Sequence, residues 1–293
     1  MQKIVIASNT FLWKKPEKNT VLQKIIDRPL EELPKYLTAE DVMLLYKESL
    51  VDSEVLYGTV VEVLEETSLF NKVIVFDQPT HKFGKGYVGY ILSKHLQSLP
   101  EHKAIGQQQV AVTAPTTSLF LKNKRRELTF GTTLPLEKVL EDQYYVWTPE
   151  GIGRVNKTKT QIIGDHPLEN VAQNMIDLAK QFNKLAYIWA GISGLGFDCS
   201  GFVYSLHKTQ GIIIPRDADD QALGGKRLPF EKALPGDLLF FAYEKGKGLI
   251  HHVGLYLGDD TMIHSQTPGS KVLITKLPGT KYEEELCTVS RYF

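Results

Sequence analysis

The stretch Phe197-Asp198-Cys199-Ser200-Gly201-Phe202 decides how the fold of this chain is interpreted. A glycine-rich loop precedes it, and the apolar residues that follow it have helical spacing. The pattern predicts a helix that begins at Cys199, with Asp198 as its N-cap. A thiol in the first turn of a helix faces the positive end of the helix dipole, which favours the nucleophilic thiolate.

The position of Cys199 alone leaves a second interpretation open. A cysteine at a helix start is equally compatible with a small apolar residue packed in the core. A nucleophilic cysteine also needs a base, usually a histidine, and a third group that orients the base. The rest of the sequence has to supply these two groups.

The composition is that of an ordinary globular protein of 293 residues, 42% hydrophobic and 23% charged. Its 34 basic residues balance its 34 acidic ones, so we expect neither nucleic acid nor a membrane as partner. Two cysteines, Cys199 and Cys287, are too few for a disulfide framework. The first ten residues predict a strand rather than a secretory signal. We therefore expect a cytoplasmic monomer, and a secreted protein whose leader was removed is the alternative.

Two copies of a small β-barrel are predicted ahead of the cysteine. Apolar residues alternate with a period of two from about residue 50 to residue 91, and a similar order of strands and glycine turns returns between 111 and 155. The first copy carries a helical insertion, predicted at Thr20–Ile26 and Ala39–Glu48 with Thr38 as a cap. We assign residues 1–105 to the first barrel, 106–162 to the second, shorter barrel and 163–293 to a third domain.

The third domain has helices first and strands afterwards. An amphipathic helix is predicted to begin at Pro167, and the cysteine helix is predicted to end at Gly211, a favourable residue after a helix end. From Leu234 onward the pattern is strand-like. This order is typical of an α+β domain.

Three of the eight histidines lie in the strand region, where a base for Cys199 could be found: His251, His252 and His264. The other histidines that we considered are expected at exposed positions, in loops of the barrels or on the surface of the cysteine helix: His81, His95, His102 and His207.

The turn after His252 decides whether two of these histidines can work together. A three-residue turn would pair His252 with Gln266 and place His264 diagonally on the same sheet face. A two-residue turn would place the two histidines on opposite faces. His251 points away from His252 in either case. Zinc binding is a competing interpretation, but one cysteine and two histidines at these separations lack a tight ligand spacing.

Four blocks of the sequence resemble the NlpC family of papain-like cell-wall cysteine peptidases, in the order that is found in that family. They are Asp198-Cys199-Ser200-Gly201-Phe202, Pro235-Gly236-Asp237-Leu238, His252-Val253-Gly254-Leu255-Tyr256-Leu257-Gly258 and Met262-Ile263-His264-Ser265. The resemblance implies a papain-like fold in which Cys199 is the nucleophile, His252 the general base and His264 the third polar residue that orients it. It implies no cofactor and no metal.

The two bacterial Src-homology-3-like (SH3b) barrels extend this resemblance, less sharply. With an NlpC domain after them, they resemble the γ-D-glutamyl-L-diamino acid endopeptidases of murein peptide recycling. In such enzymes a tyrosine and a glutamate of the first barrel bind the free amine of the stem peptide. The matching tyrosine is Tyr87, in Gly86-Tyr87-Val88-Gly89-Tyr90, and we select Glu54 as the glutamate.

The substrate cleft is also part of the resemblance. Trp189 matches an aromatic residue that lines the cleft, and Asp198 and Ser200 are similar to a substrate-binding pair. Asp217 matches a substrate contact in an Arg-Asp-Ser segment, whose serine is replaced here by Ala218. One polar contact is therefore missing or comes from a neighbouring residue.

Each of these matches has a structural alternative. Trp189 and Tyr87 could be plain core residues, and Asp217 could be a turn or cap residue.

The resemblance implies a cysteine endopeptidase that hydrolyses the bond between γ-D-glutamate and diaminopimelate or lysine. Its partners would be murein tripeptides or tetrapeptides with a free N-terminal L-alanine, from which it would release L-Ala-γ-D-Glu. A secreted cell-wall hydrolase of the same chemistry and an inactive peptide-binding module are the alternatives.

Overall fold

The computed structural model describes residues 1–99, 108–164 and 169–293. Two bent seven-stranded sheets come first, and a domain of helices and a six-stranded sheet follows. These two β-bodies and the α+β domain form the predicted multidomain architecture. The predicted position of His102 and the predicted helix start at Pro167 lie outside the described residues.

The first sheet has the strand order β3-β2-β6-β5-β4-β1-β7. Its strands are β1 (Gln2–Val5), β2 (Asn9–Trp13), β3 (Val51–Leu56), β4 (Val60–Glu66), β5 (Phe70–Val75), β6 (Tyr87–Leu92) and β7 (Leu96–Ser98). A 3₁₀ turn at Ser93–His95 joins β6 to β7. The valines, leucines and isoleucine on the inner face enclose one apolar core, to which Tyr87 also belongs.

The helical insertion between β2 and β3 agrees with the sequence. Helix α1 spans Thr20–Ile26 and helix α2 spans Ala39–Lys47. The Thr38 side chain accepts a hydrogen bond from the N–H of Asp41, whose carboxylate accepts one from the N–H of Thr38. This capping box satisfies two backbone donors that the helix leaves free, so the predicted cap is confirmed.

The second sheet has the order β10-β9-β13-β12-β11-β8-β14. Its strands are β8 (Gln109–Val112), β9 (Thr116–Phe120), β10 (Arg125–Thr129), β11 (Thr133–Leu140), β12 (Gln143–Thr148), β13 (Gly151–Asn156) and β14 (Thr160–Ile163). A 3₁₀ turn at Lys157–Lys159 precedes β14.

A buried arginine joins the two β-bodies. Arg126 donates to the carbonyl of Leu30 at 2.6 Å and to the Glu150 carboxylate at 2.9 Å. Its guanidinium also lies 4.6 Å from the ring centre of Tyr57. Because Arg126 is almost completely buried, these contacts fix the two bodies against each other.

The third domain contains five helices and eight strands in the described residues. The helices are α3 (Val171–Lys180), α4 (Cys199–Thr209), α5 (Ala218–Leu223), α6 (Tyr243–Gly246) and α7 (Lys281–Glu285). The strands are β15 (Ile192–Ser193), β16 (Gly196–Phe197), β17 (Lys226–Leu228), β18 (Leu238–Ala242), β19 (Ile250–Gly258), β20 (Thr261–Ser265), β21 (Val272–Lys276) and β22 (Leu286–Arg291). The main sheet has the order β17-β22-β18-β19-β20-β21, and a 3₁₀ turn lies at Phe230–Lys232.

Helix α4 is the buried centre of the molecule. It packs on strands of the six-stranded sheet, and its core cluster includes Leu56 and Phe130 of the two β-bodies. The helix ends in Gln210 and Gly211, and Gly211 has a φ of 79°. The predicted start and end of this helix are therefore confirmed.

Two histidines are buried where we expected exposed positions. His207 is fully buried on α4, because this helix is covered on all sides, and its Nδ1 lies 2.7 Å from the carbonyl of Val203. His95 is buried in the first β-body, with its Nδ1 2.6 Å from Thr10 Oγ1. Both predictions of an exposed position are wrong.

Within residues 1–99, 108–164 and 169–293, no helix is both long enough and apolar enough to cross a membrane.

Burial of His207 makes the stability of the protein depend on pH. Burial lowers the pKa of His207 to about 4, whereas an unfolded histidine titrates near 6.5. Below pH 6.5 the unfolded state therefore binds more protons, and the free energy of unfolding falls with pH until the folded pKa is reached. The expected loss at pH 5 is about 2 kcal/mol from this residue.

His207→Asn should remove this dependence, because Asn keeps a donor near Nδ1 but does not titrate. Urea unfolding of both proteins at pH 7.5 and pH 5 measures it. The wild-type protein should lose about 2 kcal/mol more than the variant. Equal losses would show that His207 is not held neutral by the fold.

Candidate active site

Cys199 is the first residue of α4, as predicted. Asp198 caps the helix, with its carboxylate accepting a hydrogen bond of 2.6 Å from the N–H of Gly201. Burial raises the pKa of the Cys199 thiol to about 12, and the nearby Asp198 charge raises it further, although the N–H groups of Val253 and Ser200 act in the opposite direction. Burial thus outweighs the helix start at this site, and the thiol needs a proton acceptor to become a nucleophile.

The hairpin of β19 and β20 places His252 and His264 on the same face. Its turn consists of Asp259 and Asp260, which have φ values of 49° and 51°. This is the two-residue turn that would separate the histidines, but a β-bulge between Tyr256 and Gly258 inserts one unpaired residue. The bulge has the same effect on register as a longer turn.

The two imidazoles are in direct contact. His252 Nε2 lies 2.6 Å from His264 Nδ1, with the ring planes at 79°. Gly254 faces His264 across the hairpin, and a Cβ there would lie 2.5 Å from Met262 Sδ and 3.3 Å from His264 Cβ. A side chain at position 254 would therefore displace the Met262 side chain and crowd His264.

Both histidines are neutral at pH 7. Burial lowers the pKa of His252 far below its usual value, and repulsion from His264, His251 and Lys281, whenever they are protonated, acts in the same direction. Burial likewise lowers the pKa of His264 to about 4. A neutral imidazole can accept a proton, so His252 is able to serve as the base for the thiol.

Cys199 and His252 line one cleft with a volume of about 520 Å³. The cleft contains aromatic, histidine and polar residues from the first β-body and from the third domain: Tyr46, Tyr187, Trp189, Cys199, Tyr243, His251, His252, Gln266, Thr267, Pro268, Lys281 and Tyr282. The rings of Trp189 and Tyr46 are tilted against each other, with their centres 5.1 Å apart, and Trp189 Nε1 donates to the carbonyl of Val51 at 3.1 Å. The helical insertion therefore forms one wall of the cleft.

Asp198 and Ser200 are held by a buried arginine. Arg216 donates two hydrogen bonds to the Asp198 carboxylate, at 2.5 and 3.2 Å, and one of 2.9 Å to Ser200 Oγ. Its Nε donates to Ser53 Oγ at 2.9 Å. Because these partners are inside the protein, Asp198 and Ser200 fix the start of α4 against strand β3. A direct contact of either residue with substrate stays a prediction.

Tyr87 and Asp217 are brought together although they are 130 residues apart. Tyr87 Oη donates to Asp217 Oδ2 at 3.0 Å, and Lys82 Nζ lies 2.7 Å from the same oxygen. Burial raises the pKa of Tyr87, and the charges of Asp217 and Asp52 raise it further. Asp52 is near enough for its charge to act on Tyr87, and its Oδ1 lies 3.2 Å from Lys14 Nζ.

Glu54 does not belong to this group. Its carboxylate is almost completely buried and accepts hydrogen bonds of 2.8 Å from Asn9 Nδ2 and from the N–H of Ile192. Burial raises its pKa. Glu54 thus joins strand β3 to the loop before Cys199.

Asp52 is an acidic residue near Tyr87 that the sequence analysis did not consider, and the choice of Glu54 stays a prediction. A β-bulge in β3 leaves it unpaired, since Ser53 faces Leu12 while Val51 faces Trp13. A bulge redirects the side chain at that position, and neither composition nor alternation shows it. The only sequence signal was that Asp52 is a second acidic residue next to Glu54.

One group of possible metal ligands exists among the described residues, formed by His81, Asp219 and Asp220. His81 Nδ1 already contacts the Asp220 carboxylate, and the neighbouring Lys82 carries a positive charge. The group lies beside Asp217 rather than at Cys199.

Comparisons with known proteins agree with this geometry. The NlpC/P60 family model matches residues 184–291, and a model described as the YKFC SH3b2 domain matches residues 112–162. The chain is 37% identical over 299 residues to the gamma-D-glutamyl-L-lysine dipeptidyl-peptidase of Bacillus subtilis, covering 100% of this chain and 99% of that protein. It is 36% identical over 267 residues to the protein of the same name from Bacillus cereus, covering 88% and 80% of the two chains.

Solved structures show the same likeness. An NlpC/P60 family protein from Bacillus cereus superimposes with a TM-score of 0.91 at 31% identity, over 100% of this chain and 99% of that chain. An NlpC/P60 endopeptidase from Photobacterium damselae has a TM-score of 0.61 at 16% identity, which indicates a shared fold.

Arg216→Met should destabilise the protein strongly, because it leaves the Asp198 carboxylate buried without its cation. Losing one partner of a buried ion pair costs about 3–5 kcal/mol. Arg216→Lys should be intermediate, since an ammonium cannot make the paired contacts of a guanidinium. Chemical denaturation measures both.

The matched control is Arg125→Met, which removes an exposed arginine. It should change the free energy of unfolding by less than about 0.5 kcal/mol. A similar small change for Arg216→Met would refute the structural role of the buried pair.

Proposed function

This chain belongs to the NlpC/P60 family, and we propose that it is a cysteine peptidase that releases L-Ala-γ-D-Glu from murein peptides with a free amino terminus. The bond cleaved joins γ-D-glutamate to the diamino acid, which is lysine or diaminopimelate. We further propose that its substrates are free tripeptides and tetrapeptides produced by cell-wall turnover, which it degrades for recycling in the cytoplasm.

Two relatives support the bond and the diamino acid, because both are named gamma-D-glutamyl-L-lysine dipeptidyl-peptidases. Their similarity to this chain includes the β-bodies as well as the peptidase domain, since 99% of the Bacillus subtilis protein is covered. This chain can therefore share with that protein a specificity that depends on the first β-body.

The observation that carries the proposal is the position of an ammonium group in the cluster of Asp52, Tyr87 and Asp217. Lys82 Nζ lies 2.7 Å from Asp217 Oδ2, beside the hydroxyl of Tyr87. The charges of Asp217, Asp219 and Asp52 raise the pKa of Lys82, against the opposing effect of burial. The Asp217 carboxylate that holds the ammonium of Lys82 can also hold the α-ammonium of an L-alanine, with the phenol of Tyr87 beside it and Asp52 as a second acidic group.

This cluster is connected to the nucleophile through Arg216. Arg216 adjoins Asp217 in sequence and binds Asp198, which in turn precedes Cys199. Arg216 also contacts Ser53, the neighbour of Asp52. The cluster residues are not among those that line the Cys199 cleft, so the proposed amine subsite lies beyond one end of the cleft, with the glutamyl residue of the substrate between the two.

The mechanism follows from the two neutral histidines and the protonated thiol. When substrate is bound, His252 takes the proton of Cys199, and the thiolate attacks the γ-carbonyl carbon of the D-glutamyl residue. The tetrahedral oxyanion accepts hydrogen bonds from backbone N–H groups at the start of α4, of which that of Cys199 is the first candidate. Its collapse expels the amine of the diamino acid, which receives the proton from His252. Water then hydrolyses the thioester and frees the dipeptide.

The amine subsite also explains why intact peptidoglycan would be rejected. The stem peptide of intact wall carries an amide in place of the free amine, so it could not take the place of the Lys82 ammonium at Asp217. Displacing Lys82 with an uncharged group would leave the carboxylate without a partner, which is costly. A site built to bind a group discriminates strongly against substrates that lack it.

We expect the free tripeptide L-Ala-γ-D-Glu-L-Lys to be cleaved with a kcat/KM at least about 100-fold above that of its N-acetyl derivative. Mass spectrometry of the products measures both the bond cut and the selectivity. Cys199→Ala serves as the blank and should show no turnover. Equal cleavage of the two peptides, or of purified sacculi, would favour the secreted wall hydrolase instead.

Asp52→Asn should raise KM for the free tripeptide by about 10- to 100-fold, because it removes one charge from the amine subsite. The matched variant is Glu54→Gln, which should lower the thermal stability and leave selectivity for the free amine intact. If Glu54→Gln abolished the selectivity and Asp52→Asn did not, Glu54 rather than Asp52 would be the residue that binds the amine.

Lys82→Met should lower KM for the free tripeptide by up to about fivefold, because the ammonium of Lys82 competes with that of the substrate at Asp217. Lys85→Met is the control, since Lys85 is an exposed residue of the same loop. An increased KM for Lys82→Met would mean that Lys82 assists substrate binding.

A further inference from the structure

Beyond the two histidines, a third side chain continues the line of contacts. His264 Nε2 lies 2.9 Å from the hydroxyl oxygen of Thr275. Thr275 is a half-buried residue of β21, the edge strand that pairs with β20, and it is not part of the cleft that contains Cys199. It therefore has no direct route to substrate.

The requirements of the base determine the direction of these hydrogen bonds. Because His252 Nε2 is engaged with His264, its Nδ1 is the nitrogen left to accept the thiol proton. A neutral imidazole carries one proton, so His252 must hold it on Nε2 and donate it to His264 Nδ1. His264 Nδ1 is then an acceptor, which places the single proton of His264 on Nε2. That N–H needs an acceptor, and Thr275 Oγ1 is at hydrogen-bond distance.

The opposite direction would block the reaction. If His264 donated from Nδ1, His252 would carry its proton on Nδ1 and could not accept another from Cys199. The imidazolium that forms during catalysis has a proton on both nitrogens, so it requires His264 as an acceptor as well. We propose that Thr275 is a positioning residue that keeps His264 in the productive tautomer by accepting the hydrogen bond from its Nε2–H.

The proton inventory of this step is simple. One proton moves from Cys199 Sγ to His252 Nδ1 and later to the leaving amine, while His264 and Thr275 keep their own protons throughout. No proton passes along the line to Thr275. Thr275 contributes by favouring one direction of the hydrogen bonds, and this direction stabilises the imidazolium of His252 at the other end of the line.

Other groups near the two imidazoles also affect their titration. The Tyr282 ring from α7 packs against both, at 5.4 Å from His252 and 5.1 Å from His264. Lys281 of the same helix lowers the pKa of both histidines, and His251 acts on His252. Because Thr275→Val leaves all of these groups in place, a change in the pH profile can be attributed to the lost acceptor.

The test compares Thr275→Val, which removes the hydroxyl at nearly constant shape, with Thr275→Ser, which keeps it. Thr275→Val should lower kcat about tenfold with little change in KM, because the hydroxyl does not touch the substrate. Because the thiol and the imidazole are both neutral at rest, the acid limb of the pH profile reports protonation of His252. This limb should move to lower pH in Thr275→Val, because the lost acceptor leaves the imidazolium less stabilised, while the alkaline limb stays in place. Thr275→Ser should restore the acid limb.

A second readout does not depend on the substrate. The rate at which iodoacetamide alkylates Cys199 follows the thiolate fraction. In Thr275→Val this rate should fall at neutral pH, because the thiolate–imidazolium pair forms less readily when the imidazolium is less stabilised. This separates the inference, which rests only on the cysteine peptidase chemistry, from the proposed specificity for a free amine. If the tripeptide were not cleaved at all, the alkylation profile would still decide the role of Thr275.

Thr288→Val is the matched control, because it makes the same chemical change on β22, a strand of the same sheet that does not contact β21. It should leave kcat and both limbs unchanged. A double-variant cycle with His264→Ala provides the last comparison: Thr275→Val should cost nothing further once His264 is absent. The proposal is wrong if Thr275→Val keeps the wild-type pH profile, or if its effect is undiminished in the His264→Ala background.

Discussion

The buried contact between Arg216 and Asp198 is the interaction on which the rest of the site depends. It fixes the N-cap of α4, and thereby the first residue of that helix, Cys199. The same guanidinium reaches Ser53 of the first β-body. A buried guanidinium is tolerated only where its donors are satisfied, so the start of the catalytic helix and strand β3 have to stay in register with each other.

The sequence was sufficient for the helix start but not for the relation between the histidines. The helix was predicted correctly because its signals are local: the cap at Asp198, the spacing of apolar residues and Gly211 after the helix end. Whether His252 and His264 lie on the same sheet face depends on one extra residue in the hairpin. That residue is Leu257, which the bulge leaves unpaired. A turn of two aspartates with positive φ and a bulge next to it give the same face as a longer turn, and side-chain alternation cannot separate these cases.

The sequence could not distinguish the two acidic residues of β3 for a related reason. Glu54 and Asp52 are two residues apart in one strand, where regular alternation would place them on the same face. The bulge breaks this equivalence: Glu54 is a buried link to Ile192, while the charge of Asp52 acts on Tyr87. The sequence could indicate which strand supplies a carboxylate. Only the three-dimensional packing determines which carboxylate of that strand remains free to bind an amine.

The first β-body is therefore part of the active site rather than a separate tether. The carbonyl of Val51 orients the Trp189 indole in the cleft, and Ser53 holds Arg216. Asp52 lies between these two residues, so the strand that binds the indole and the arginine also carries a carboxylate of the proposed amine subsite. A shift of this strand relative to α4 would disturb the cap of the nucleophile and the position of Asp52 together. Three consecutive residues are thus positioned by the backbone of one short strand.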